Sequence, residues 1–314
     1  MKYVLGIDSG GTNYRVMAVD LDGNRLGSYV GEPAYLHYLD GDELLRRMEK
    51  NIGECLKQFS GRREDAVYIV SGTTGIDCEE NAERLMHYYE SLEGFDCPIK
   101  IMNDAELAHY TVTGGTGVLI LSGTGSIAFG VNREGKRARA GGWPPEIFGD
   151  EGSGTWVTRK ALRHYARFLD GAAAAGPLTQ GIARELGIQT EDELIQTALK
   201  GGKNPAGFPQ LGRLVNQAAA EGDLYALEIL KEAAKELKSI LDDIVYALDL
   251  EKSEPDFCIG IWGSNIVKSQ VIREEFERLA AEQYPKARIL LPEKEAIDGA
   301  VEMALKLTGR KHRT

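Results

Sequence analysis

The sequence predicts an α/β protein of two domains, each led by a β-hairpin. Three observations predict it. Residues 117 to 131 read GVLILSGTGSIAFGV, an apolar run, a polar turn and a second apolar run. No helical period fits that stretch, whereas two strands joined by a glycine turn fit it well. Residues 3 to 19, YVLGIDSGGTNYRVMAV, repeat the pattern with the turn Asp8-Ser9-Gly10-Gly11-Thr12. After each hairpin, strand and helix signatures alternate, which predicts a mostly parallel sheet covered on both faces.

The elements follow in order. The first hairpin turns again at Asp22-Gly23-Asn24, a strong hairpin signal, into a third strand from Leu26 to Val30. Residues 31 to 41 are aromatic and loop-like. Residues 42 to 59 place Leu44, Leu45, Met48, Ile52, Cys55, Leu56 and Phe59 at helical spacing. A buried strand from Ala66 to Val70 ends in Ser71-Gly72-Thr73-Thr74-Gly75, and a helix spans 79 to 92. A short strand from Ile99 to Met102 ends at Asn103-Asp104. The pattern restarts with the second hairpin, whose outer turn is Arg133-Glu134-Gly135. Residues 138 to 154, rich in glycine and proline, predict no regular element, and a loop of that length inside a domain is functional or disordered. Its Trp143, Ile147 and Phe148 argue against disorder. Helices are predicted at 154–169, 177–186, 191–199, 209–221 and 223–249. A strand from Phe257 to Trp262 ends in Gly263-Ser264-Asn265. A helix, a strand from Arg288 to Leu291 and a last helix over 294–307 complete the chain.

The 314 residues suffice for two cores, and 43% apolar residues with a mean hydropathy of -0.28 are ordinary for a globular protein. A net charge of -11 argues against a nucleic-acid partner, since a phosphate backbone needs clustered Lys and Arg. The four cysteines, Cys55, Cys78, Cys97 and Cys258, are scattered without C-x-x-C spacing, which predicts reduced thiols in a cytoplasmic protein. The five histidines form no zinc pattern. No run approaches the roughly 18 apolar residues of a membrane span. The N-terminus leads straight into a strand ending at Asp8, unlike a signal peptide.

Glycines alternating with hydroxyls let a backbone approach a ligand and aim N–H and O–H donors at it. Phosphate is the natural guest for both turns. Neither is a Walker A loop, because no GxxxxGK(S/T) occurs and no helix follows either turn.

These residues resemble the actin-like ATPase superfamily of sugar kinases, hexokinase and Hsp70-type proteins. More closely they resemble the N-acetylglucosamine kinase branch grouped with the BadF/BadG/BcrA/BcrD ATPase family. The matching pieces are GIDSGGTN at 6 to 13, SGTTG at 71 to 75, NDA at 103 to 105 and LSGTGS at 121 to 126. Further matches are GGW at 141 to 143, GDEGSG at 149 to 154, AGF at 206 to 208 and GS at 263 to 264. The resemblance implies two actin-like (ribonuclease H-like) domains with a central cleft. Residues 1–116 would form one, joined by the C-terminal helix 294–310, and 117–293 the other, with a helical insertion. Asp298-Gly299-Ala300 would let that last helix pack closely.

The resemblance also implies roles. ATP phosphates would be held by Gly10, Gly11, Thr12 and Asn13 and by Gly123, Thr124, Gly125 and Ser126. Gly207, Gly263 and Ser264 would border the adenosine. Asp8 would hold Mg2+, its other reading being a turn-stabilising residue. Asp104 would be the general base for the sugar hydroxyl, its other reading being a helix N-cap. Gly72, Asp104, Thr124, Gly142, Trp143 and Asp150 would contact the sugar. The asparagine that reads the amido group in this branch has no counterpart in residues 33 to 38. N-acetylglucosamine, phosphorylated to its 6-phosphate, is the first expected substrate and N-acetylmuramic acid the second. No membrane partner is implied, and a homodimer is allowed. A dehydratase activator of the BadF type would need paired cysteines for an iron–sulfur cluster, and a sugar-responsive repressor a helix-turn-helix where only Met1 and Lys2 stand.

Overall fold

The computed structural model describes residues 1–144, 148–200 and 211–309, with the side chain of Lys200 excepted. Two compact units emerge: Met1–Gly115 with the segment from Pro292 onward, and Thr116–Leu291.

The first unit runs β1 (Tyr3–Ser9), β2 (Tyr14–Asp20), β3 (Arg25–Gly31), α1 (Gly41–Lys57), β4 (Ala66–Thr73), α2 (Glu79–Glu90), β5 (Ile99–Asn103) and α3 (Asp104–Thr113). The second runs β6 (Gly117–Ser122), β7 (Ser126–Val131), β8 (Arg137–Gly141), α4 (Gly154–Leu169), α5 (Pro177–Leu186), α6 (Glu191–Lys200), α7 (Leu211–Ala220) and α8 (Leu224–Leu248). It ends with α9 (Leu250–Ser253), β9 (Cys258–Trp262), α10 (Ser264–Lys268), α11 (Gln270–Gln283) and β10 (Arg288–Leu290). The chain then returns to the first unit as α12 (Ala296–Leu307).

Both sheets share one plan. Strand order is β3-β2-β1-β4-β5 in one and β8-β7-β6-β9-β10 in the other. In each, the first three strands pair antiparallel, the leading strand pairs parallel with the fourth, and the fourth pairs parallel with the fifth. This corrects the expectation of mostly parallel sheets. Tight turns join three successive strands and can only pair them antiparallel, and parallel neighbours arrive only through crossovers.

β8 is a second correction, since residues 138 to 154 were expected to be irregular throughout. Its sequence, RARAG, alternates arginine with small residues on an edge strand, so no apolar alternation marks it.

β1 is buried along its whole length. Tyr3, Leu5 and Ile7 join Leu44, Met48, Ile52 and Cys55 of α1 in one core. On the Gly6 side the cover is α12. A Cβ on Gly6 would lie 2.7 Å from Val301 Cγ1 and 2.9 Å from the Val301 nitrogen, and one on Gly299 would fall on Thr111 Oγ1 of α3. Only hydrogen fits at either contact. Gly299→Val should therefore destabilise the first unit by about 3 kcal/mol, read as a lower urea midpoint with an unchanged slope. The second core is built around α8, whose Leu230, Ala233, Leu237, Leu241 and Ile244 face Val118 and Ile120 of β6 and Phe276 of α11. No helix among the described residues is long and apolar enough to cross a membrane.

Candidate active site

In the first unit, parallel pairing sets Asp8 opposite Gly72 and Thr73 opposite Asn103. The carboxyl ends of β1, β4 and β5 thus finish at one edge, where open α/β sheets bind ligands. Asp8, Thr74 and Asp104 all stand there.

Asp104 is the first residue of α3 but not its cap. The cap is Asn103, whose side-chain oxygen accepts the Ala105 N–H at 2.9 Å. The Asp104 carboxylate is held at both oxygens: Oδ1 accepts the Ala105 N–H at 2.9 Å and Oδ2 accepts the Thr74 hydroxyl at 2.6 Å. Burial pushes its pKa above the ordinary carboxylate value, the Thr74 and Ala105 bonds oppose that rise, and the charge of Asp77 adds to it. A carboxylate held this way can take a proton near neutral pH more readily than a solvated one.

Asp8 is 8% exposed, and its Oδ2 accepts from Arg15 Nη1 at 3.0 Å. Burial raises its pKa, Arg15 pulls it back, and the charges of Asp104 and Glu295 raise it again. Arg15 lies directly across the hairpin from Asp8, so the pair follows from the strand register. As a Mg2+ ligand Asp8 fits in chemistry: it is a hard oxygen donor whose Oδ2 is held in place by Arg15. Among the described residues no three His, Cys, Asp or Glu side chains gather into a metal-holding group. Mg2+ commonly takes one or two carboxylates and completes its shell with phosphate oxygens and water.

The first turn is closed by the Gly10 N–H donating to the Asn13 carbonyl at 3.0 Å. Gly11 and Thr12 are exposed, and a Cβ on Gly11 would meet nothing within 4 Å. Neither Gly10 nor Gly11 has positive φ. Their use is open space against the backbone rather than an unusual conformation. Asn13 sits at the end of the turn, half-buried.

In the second unit the corresponding turn is stitched to the start of α4. The carbonyls of Gly123 and Thr124 accept from the Gly154 and Thr155 N–H groups at 2.8 and 3.1 Å. Ser126 donates its N–H to Asp150 Oδ1 at 2.9 Å and its hydroxyl to the Glu151 carbonyl at 2.7 Å. With the carbonyls turned toward α4, Thr124 is left exposed at the tip and a Cβ on Gly123 would meet nothing within 4 Å. Gly125 differs, since a Cβ there would lie 2.7 Å from Asp150 Oδ1.

The remaining expected site residues divide by what surrounds them. Asp150, at φ 60°, braces the turn through one carboxylate oxygen. Gly263, at φ 95°, brings the end of β9 against the same turn, where a Cβ would fall on the Ser122 carbonyl. Ser264 opens α10, and its neighbour Asn265 donates to Ser122 Oγ and to the Gly152 carbonyl, both at 3.0 Å. Gly142, at φ 68°, lies against Ile127, and its N–H donates to the Ser126 carbonyl at 3.0 Å. Trp143 is 50% exposed, beside Phe148 and beneath Arg139, so it is not a core residue. Gly72 has a packing reason: a Cβ would collide with the Leu107 side chain of α3. Gly207 lies outside the described residues.

Sequence reasoning missed Thr74, Arg15 and Asn265. Arg15 was legible by counting outward from the hairpin turn. Thr74 and Asn265 reach partners 30 and 143 residues away, and nothing local marks such bonds.

Residues 5–304 match the BadF/BadG/BcrA/BcrD ATPase family. The chain is 32% identical over 308 residues to the N-acetylmuramic acid/N-acetylglucosamine kinase of Clostridium acetobutylicum, covering 97% of this chain and 98% of that protein. It is 30% identical over 311 residues to the N-acetyl-D-glucosamine kinase of Dictyostelium discoideum, covering 96% and 97%. A solved structure of a candidate N-acetylglucosamine kinase from Chromobacterium violaceum superposes with a TM-score of 0.77 at 22% identity, over 97% of this chain and 99% of that one. The fold is accordingly the two-domain actin-like ATPase fold. Matched over nearly its whole length, the chain belongs to the BadF/BadG/BcrA/BcrD ATPase family.

Proposed function

We propose that this protein is an ATP-dependent amino-sugar kinase that converts N-acetylglucosamine to its 6-phosphate. The observation that carries the reading is a partly buried Asp104, oriented by Thr74, on the same strand-end edge as Asp8 and the open Gly10–Asn13 turn. Relatives of nearly equal length that bear amino-sugar kinase names support it.

Phosphoryl transfer asks for positioning and charge neutralisation more than covalent chemistry. Each turn would offer backbone N–H donors to phosphate oxygens, Thr12 and Thr124 adding hydroxyls. Donors fixed in advance stabilise the charge that develops during transfer. Asp104 would take the proton of the attacking hydroxyl. Asp8 would hold Mg2+, which when bound neutralises phosphate charge. Half-buried Tyr35, which feels the Asp104 charge, packs against exposed Tyr38 at a ring centroid distance of 4.6 Å; such rings suit the apolar face of a sugar, and the carboxylates suit its hydroxyls.

N-acetylmuramic acid is the second reading. It is favoured by the absence of an amide side chain in residues 33 to 38 and by the Clostridium relative, whose name carries both sugars. An ADP-release assay across N-acetylglucosamine, N-acetylmuramic acid, glucosamine and glucose tests both. Turnover on an N-acetylated amino sugar at least about tenfold above glucose is the expected result. An iron-bearing protein that hydrolyses ATP and ignores every sugar would instead point to a dehydratase activator.

A further inference from the structure

We propose that Thr74, braced by His37 from the loop after β3, is the positioning residue that holds the Asp104 carboxylate for catalysis. The inference rests on the kinase reading above.

Thr74 stands one residue beyond β4. Its N–H donates to the Ser9 carbonyl at 2.9 Å, which ties it to the start of the phosphate turn, while its hydroxyl donates to Asp104 Oδ2 at 2.6 Å. One residue therefore spans the two halves of the chemistry within this unit. The next residue, Gly75, has φ 84°, a conformation that a side chain resists. What pins this turn comes from elsewhere. His37 Nε2 lies 3.1 Å from the Gly75 carbonyl, and Asn81 Nδ2 donates to the same oxygen at 3.1 Å. Only a donor answers a carbonyl, so Nε2 carries the hydrogen. A Cβ on Gly75 would sit 2.8 Å from the His37 ring and 2.9 Å from the Tyr35 ring, so both rings lie directly on the turn.

The bracing loop is itself fixed. Arg47 Nη1 donates to the Pro33 carbonyl at 2.8 Å and Asn51 Nδ2 to the Glu32 carbonyl at 3.0 Å, both from α1. Ala34 and Leu36 are buried at 2% exposure. A rigid loop can transmit orientation to the turn, and the turn to the hydroxyl. Rotation of the Asp104 carboxylate is limited by two bonds, and only the Thr74 bond comes from another element.

The acids facing Asp104 are Asp77, Asp8 and Tyr35. The Asp104 charge raises the pKa of Asp8 and of Tyr35, while Asp77 favours the protonated form of Asp104 and the Thr74 hydroxyl opposes it. Loss of that hydroxyl should raise the pH at which the base protonates, and a base must be ionised to act. The acid limb of the kcat profile should therefore move to higher pH.

The test compares wild type, Thr74→Val, Thr74→Ser, His37→Ala and His37→Gln by kcat, KM and pH profile on the best amino sugar. The Asp104 carboxyl is also titrated by 13C NMR without ligands. Thr74→Val should lower kcat about tenfold, leave the KM for ATP within about twofold, and move the acid limb and the Asp104 titration upward by about one pH unit. Thr74→Ser should restore all three, and His37→Ala should show a smaller shift that His37→Gln reverses. Thr74→Ala carries the same readout if the valine variant does not fold. An unchanged pH profile and Asp104 titration in the Thr74 variants would overturn the proposal. A shifted titration in a protein that phosphorylates no sugar would instead overturn the kinase reading, and with it the catalytic role of Thr74.

Discussion

Asp104→Asn should cost about a thousandfold in kcat while ATP still binds with near wild-type affinity. The amide is nearly isosteric: its oxygen can still accept the Ala105 N–H while its NH2 donates to the Thr74 hydroxyl oxygen, the hydroxyl reversing its role, so the local structure should survive. What disappears is a site for the acceptor's proton. The pH dependence sharpens the test. Burial favours the neutral acid, so wild-type kcat should fall on the acid side at a pH above the ordinary carboxylate range. That limb should be missing from the residual activity of the variant. A variant within about tenfold of wild type would remove Asp104 from the role of base.

Gly11→Val and Gly123→Val should each lower kcat/KM for ATP by about a hundredfold, with thermal stability nearly unchanged. The reasoning is geometric. A Cβ at either position meets nothing within 4 Å and neither residue has positive φ, so the protein alone has no objection to a side chain. Surface changes of that kind usually stay within about 0.5 kcal/mol. A phosphate oxygen accepting a backbone N–H must come within about 3 Å of the nitrogen, which is the space valine would occupy. Gly263→Val is the contrast, because its side chain would fall on the Ser122 carbonyl and the loss should appear as instability. ATP kinetics unchanged in both open-turn variants, measured by coupled assay and by calorimetric titration, would separate these turns from nucleotide binding.

The hairpins, their outer turns and the long amphipathic helices were legible because each is written in local periodicity. Strand direction was only half legible. Alternation of strand and helix says that crossovers exist, but not that the first three strands of each sheet pair among themselves before any crossover. β8 escaped because RARAG on an edge needs no buried alternation. Within the site, the glycine turns and Asp104 stood out by residue type and spacing. Asn103 rather than Asp104 caps α3, a distinction that rests on one rotamer and cannot be read from two adjacent capping residues. Asp150 stood out by its place in GDEGSG, but its brace on the Ser126 N–H across 24 residues of chain could not be read there. Contacts of that kind are set by packing between segments, and composition carries no trace of them.

The cover that α12 gives to the Gly6 side of β1 bears on how the chain is made. Synthesis runs from the N-terminus, and units tend to fold as they leave the ribosome. Here the opening strand waits for its lid until residues past Pro292 emerge, by which time Thr116–Leu291 is complete. The half that is begun first is therefore finished last. A nascent chain halted before that point offers one naked sheet face to chaperones and proteases.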